Sequence, residues 1–167
     1  DYIFSEFGIN NFIIRGDTTS APTIADYQVL WPKLRARCGV LYHTPIWPNN
    51  SITTQQRTAM LEVNDWIYKN HRVYGVTLAT GLVNALLDPA HAYRWVIRSD
   101  ATQDNTHPHT GGACIAGPAY ANELAHLKTV GRLSALATQN ILANGELRGT
   151  AGSAPTSWTA FGAVTWT

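Results

Sequence analysis

Two short stretches hold residues whose types and spacing could do chemistry. In Asp104-Asn105-Thr106-His107-Pro108, an Asp three residues before a His lets one carboxylate oxygen hydrogen-bond the imidazole Nδ1 and fix its tautomer. Nε2 is then free as a base. In Gly8-Ile9-Asn10-Asn11, a side-chain amide on a tight turn can offer an N–H to a developing oxyanion, and Gly8 permits the backbone geometry. A base and an oxyanion donor together suit attack of a nucleophile on a carbonyl. Asn11, His43 and Thr44 follow predicted strands, while Trp47 and Trp95 lie in loops, and all five could line the same cleft. For His43 a structural place is the simpler reading.

The elements that would position these residues read as an α/β fold. Tyr2 to Phe7 is apolar on both alternating faces and predicts a strand buried on both sides. Ile24, Tyr27, Leu30, Trp31 and Leu34 recur at helical spacing over Thr23 to Cys38, with Thr23 as N-cap and Gly39 as the stop. Val40-Leu41-Tyr42 predicts a second strand. Met60, Leu61, Val63, Trp66 and Ile67 form the stripe of a helix over Gln55 to His71, capped by Thr53 or Thr54, with Arg57, Glu62, Asp65 and Lys69 turned to water. Val73 to Leu78 predicts a third strand, and Leu82 to Leu87 a short helical turn. Strands alternating with helices imply a parallel sheet with helices on both faces. Ligands bind such sheets beyond the carboxyl ends of the strands, where the candidate residues fall. Residues 90 to 108 predict a long irregular loop, and a last helix follows Gly111-Gly112 through Leu127. Residues 129–143 read as a helix extension or linker, and residues 144–167 as the beginning of a β-rich module that could bind carbohydrate.

In this order and on these elements, the two stretches resemble the SGNH (GDSL-type) hydrolase family, whose blocks read G-x-N-D and D-x-x-H. Thr44-Pro45, the Arg57 to Asn70 helix, Leu87-Asp88-Pro89 and the Gly112 to Leu127 helix look similar too, so the resemblance spans about residues 1–128. It implies a flavodoxin-like parallel sheet and a serine esterase without metal or organic cofactor. It also implies His107 as general base, Asp104 as its orienting partner, and Asn10, with Gly8, at the oxyanion hole. Asn11 stands where the family usually has Asp, a change that bears on loop hydrogen bonding. The family's Gly-Asp-Ser nucleophile turn precedes its G-x-N-D block. Gly16-Asp17-Thr18 follows Asn10, and Thr18 reads as turn chemistry. The nucleophile is therefore expected upstream of this chain, supplied by a missing N-terminal segment or another chain. Alone, the chain is expected to be neither stable nor active.

Composition narrows the partners. The 167 residues are 45% hydrophobic and 14% charged, enough for one domain that buries about two thirds of its unfolded surface. Twelve basic against eleven acidic residues give no cationic excess for nucleic acid or a membrane surface. No apolar run reaches the roughly 20 residues of a spanning helix. Residues 1–6 lack the basic start of a secretion signal, so any export signal is expected outside this chain. Six Trp, seven Tyr and four Phe suit stacking against sugars, which favours acylated carbohydrate as substrate and an extracellular or particle-associated setting. The alternative is a carbohydrate-binding or structural assembly protein that keeps the scaffold without the reaction. Cys38 and Cys114 read as buried free thiols, Arg15-Gly16-Asp17 as a polar loop, and Asn49-Asn50-Ser51 as an unmodified loop despite its glycosylation pattern. His107 and His109 alone fall short of the three or four ligands of a zinc site.

Overall fold

The computed structural model describes residues 1–125, with the side chains of residues 92–94 excepted. The chain divides into two units, Asp1–Glu123 and Leu124–Thr167. The expectations for residues 129–143 and 144–167 lie outside the described residues.

The first unit is mixed α/β, with a three-stranded parallel sheet of order β1-β2-β3: β1 Tyr2–Glu6, β2 Val40–Thr44 and β3 Val76–Leu78. Ser5 pairs with His43 and Glu6 with Thr44, while His43 pairs with Leu78, so the three carboxyl ends lie side by side. The helices α1 Ile9–Ile13 and α2 Ala21–Arg35 lie between β1 and β2 in the chain. α3 Thr54–Asn70 connects β2 to β3, and α4 Gly81–Leu86, a 3₁₀ segment Pro89–Arg94 and α5 Thr110–Glu123 follow.

Alternation along the strands sorts the side chains. Ile3, Leu41 and His43 turn toward α2 and α3, where Tyr27, Trp31, Met60, Val63 and Ile67 complete a fully buried core. On the other face Phe4 stacks on Tyr42 at 5.1 Å and meets Tyr120 of α5 edge-on at 6.2 Å. A second core of Leu86, Ile97, Ala101 and Ala116 joins α4, α5 and the long loop.

Several predicted elements shift. β1 is not buried on both sides: among the described residues it pairs only with β2, which leaves one edge open and Phe4 44% exposed. α2 starts after Ser20 rather than at Thr23, whose hydroxyl is buried and donates to Asp17 at 2.8 Å. β3 begins at Val76, because the chain first turns through Gly75 at φ 64°, and Val73 is exposed. Thr53 caps α3 with a reciprocal box: its hydroxyl accepts from Gln56 N while the Gln56 side chain accepts from Thr53 N. The start of α4 is capped from α5, since both Glu123 oxygens accept backbone N–H groups, from Thr80 at 2.7 Å and from Gly81 at 2.8 Å. Cys38 and Cys114 are free, but Cys38 is only half-buried and Cys114 is exposed. The apolar stripe of α5 is narrow, with Gly112 and Ala116 its buried positions, and so leaves Cys114 on the water side.

Candidate active site

The turn after β1 is shaped by what packs beneath it. Gly8 has φ 120°, and a Cβ there would lie 2.7 Å from Tyr27 Oη and 2.8 Å from Ile46 Cγ1, so only glycine fits. Tyr27 Oη donates to Phe7 O at 2.6 Å. Ile46 is itself held by Asn64, buried in α3, whose Oδ1 accepts from Ile46 N at 2.9 Å and whose Nδ2 donates to Ile46 O at 3.1 Å. This support aims α1 and places Asn10 on its first turn, exposed and without a side-chain hydrogen bond among the described residues.

The loop that carries His107 is fastened to the loop after β2. Asn50 Nδ2 donates to Ile97 O at 3.1 Å, and its Oδ1 accepts from Ile97 N at 3.2 Å. Asn50 N donates to Asn105 O at 2.8 Å, and Ser51 Oγ lies 2.6 Å from Thr106 Oγ1. Arg57, expected to face water, instead donates to Asn49 O at 2.6 Å and Trp95 O at 3.2 Å. The long guanidinium arm reaches back along α3 to these carbonyls, the second of which also accepts the Asn49 N–H at 3.1 Å. Asn49 is 1% exposed, which withdraws the acceptor of the glycosylation pattern from solvent.

Within this loop Asp104 closes a turn on His107. Its Oδ1 accepts from the backbone N–H of His107 at 2.7 Å and of Thr106 at 2.9 Å, while Oδ2 stands 2.7 Å from His107 Nδ1. These hydrogen bonds, the His107 backbone N–H foremost, hold the Asp104 carboxyl well below the usual carboxylate range. An ionised carboxylate on Nδ1 fixes the proton there and leaves Nε2 unprotonated in the neutral ring. The pair stands open, with side chains 79% exposed for His107 and 55% for Asp104.

His107 and Asn10 meet at one cavity of about 830 Å³, beyond the carboxyl end of β1, whose walls include Glu6, Phe7, Gly8 and Trp47. Burial raises the Glu6 carboxyl above its ordinary range. Asn11 also lines this cavity, but its amide is committed to the surrounding loop, donating to Asp26 Oδ2 at 3.0 Å and Thr23 Oγ1 at 3.2 Å. Thr106 is the hydroxyl-bearing residue of the lining, and that hydroxyl is paired with Ser51.

The other candidates lie elsewhere. His43 is fully buried among the rings of Phe7, Tyr27 and Trp31, with Nδ1 2.9 Å from Ser5 Oγ, and burial pushes it down to about 3. Thr44 is buried beside it in β2. Trp95, at φ 54°, packs against the core and donates from Nε1 to Ile46 O at 2.6 Å. None of the three lines the cavity, since each is packed into the core. Arg15 and Asp17 pair at 2.6 Å, and Asp17 is nearly buried, so the Arg15-Gly16-Asp17 loop is closed on itself. His109 accepts the Gly111 N–H at 2.9 Å and caps α5. Among the described residues no three His, Cys, Asp or Glu side chains gather as a metal-binding group.

Sequence reasoning missed Asn64, Asn50 and Arg57, which set the site's geometry. For Asn64 a signal existed: it sits within the apolar stripe of α3 beside Met60, Val63 and Ile67, where a polar residue must find buried partners. Compared with known proteins, the chain matches no family model, and no curated protein matches it significantly.

Proposed function

We propose that this chain forms part of an SGNH-type serine esterase that removes acyl groups from carbohydrate, with the nucleophile supplied by another segment. One observation carries the reading: an uncommitted amide, Asn10, and an imidazole steadied by a carboxylate, His107 on Asp104, line one cavity although they come from opposite ends of the unit. In this reading a further parallel strand pairs with the open edge of β1 and ends in the Ser. That Ser Oγ attacks the carbonyl carbon as His107 Nε2 takes its proton, and the carbonyl oxygen becomes an anion that the Asn10 side-chain N–H stabilises. Collapse of the intermediate expels the alcohol, protonated by His107. Water, deprotonated by the same nitrogen, then releases the acid.

The setting would be extracellular or particle-associated, where acylated carbohydrate is met. In the complete protein, His107→Ala is expected to lower turnover of p-nitrophenyl acetate by several orders of magnitude, as triad removals do. Unchanged turnover would reject the reading. A second reading, a carbohydrate-binding or assembly protein on the same scaffold, is favoured by the lining itself, whose hydroxyl Thr106 is engaged by Ser51. A substituted Ser at the end of the added strand would select it.

A further inference from the structure

A second cavity adjoins the first. It measures about 320 Å³ and lies between Trp47, Leu82 and Pro108 on one side and Ala113, Gly117 and Tyr120 of α5 on the other. Trp47 and Pro108 are walls of both cavities, and Pro108 directly follows His107. Ala113, Gly117 and Tyr120 are spaced by four and three residues and so share one face of α5. Ala113 and Gly117 are small and leave this space open, and a Cβ added at Gly117 would meet no atom within 4 Å.

The two cavities differ in chemistry. The larger offers the Asn10 amide and the Glu6 and Asp26 carboxylates, with no Lys or Arg among the described lining residues. The smaller is almost wholly carbon-lined. A sugar hydroxyl placed there would lose its hydrogen bonds, whereas hydrocarbon gains by leaving water. At about 30 Å³ for each water-sized group, the space takes about ten such groups.

Resting on the esterase reading above, we infer that the smaller cavity receives the acyl chain of the ester, a saturated tail of up to about ten carbons by this volume. The alcohol part occupies the larger cavity, beside the Asn10 amide.

The test compares p-nitrophenyl acetate, hexanoate and dodecanoate as substrates of the complete protein and of its Ala113→Leu/Gly117→Leu variant. Binding of hexan-1-ol to both proteins is followed by calorimetry. Leucines at these two positions fill the cavity and favour helix over glycine, so the variant is expected to fold. Each methylene moved out of water contributes about fourfold, so kcat/KM for hexanoate should exceed that for acetate by about 10²-fold. Dodecanoate should fall back, being too long. The variant should lose the hexanoate preference and the hexan-1-ol binding. Equal kcat/KM for acetate and hexanoate, or a preference that the variant retains, overturns the acyl site while leaving the esterase reading intact. Failure of hexan-1-ol to bind the complete protein also overturns it, including the case in which another stretch of the chain fills the cavity. Hexan-1-ol binding that the variant abolishes, without turnover of any ester, would support the hydrocarbon site and reject the esterase.

Discussion

Asp88 Oδ2 lies 2.9 Å from His91 Nδ1, the same contact that Asp104 makes with His107 at 2.7 Å. In both segments the carboxylate also accepts the N–H two residues on, from Ala90 and from Thr106. The Asp-x-x-His turn therefore builds its own dyad in both places, but the His107 N–H bonds the Asp104 carboxylate while the His91 N–H bonds the Asp88 carbonyl, and only His107 lines the cavity with Asn10. His91→Ala is expected to leave ester turnover unchanged, while His107→Ala abolishes most of it. Equal losses in a side-by-side assay would break the link between the cavity and the activity.

Asp104→Asn tests the dyad without dismantling the turn. An amide oxygen can still accept the Thr106 and His107 N–H groups, but an NH₂ now faces Nδ1 and forces the proton onto Nε2. Turnover should fall by roughly 10⁴-fold, as for the equivalent change in a serine protease triad, with the thermal midpoint nearly unmoved. A large drop in midpoint would mean that the loss came from unfolding.

Asn64 tests the support beneath the site. In Asn64→Leu the Ile46 carbonyl keeps its bond from Trp95 Nε1, but the buried Ile46 N–H loses its acceptor. An orphaned buried donor costs about 1–3 kcal/mol. Urea titration should show a lower midpoint with an unchanged slope. An unchanged midpoint would show that this N–H has found another partner.

Gly8→Ala combines a strained φ with two steric conflicts, against Tyr27 and Ile46. A residue held in an unfavourable backbone region costs about 1–3 kcal/mol, and each kcal/mol lowers the melting point of a chain this size by about 2–4 °C. Calorimetry should register a fall of several degrees. A midpoint equal to that of the unaltered protein would show that the turn relaxes freely.

Buried His43 sets a pH dependence. Its ring is pushed down to about 3 by burial, so on acidification the unfolded chain takes up the proton first, near the ordinary value of about 6.5. Between those values the unfolded state binds more protons. Stability therefore falls as the pH is lowered, by up to about 1.4 kcal/mol per pH unit, and His43 adds no dependence above that window. Urea midpoints at pH 7 and pH 5 should differ more in the unaltered protein than in His43→Leu. Parallel shifts would refute the assignment.

The sequence by itself determined what depends on neighbours along the chain. The stripe of α3, its Thr53 cap, the apolar run Val40-Leu41-Tyr42 of β2 and the Asp104–His107 turn all arise from contacts a few residues apart, which spacing records directly. The same locality gives the Asp88–His91 turn its own carboxylate–imidazole contact. The tertiary structure decided which imidazole shares a cavity with Asn10 and that His43 and Trp95 belong to the core. It also decided that Arg57 turns inward and that β1 keeps an open edge among the described residues. Each of these depends on segments that meet only after the chain has folded back, such as Asn50 on Ile97 or Asn64 on Ile46. No periodicity carries that information, because the partners of a buried polar group are chosen by packing and by the cost of leaving it unpaired.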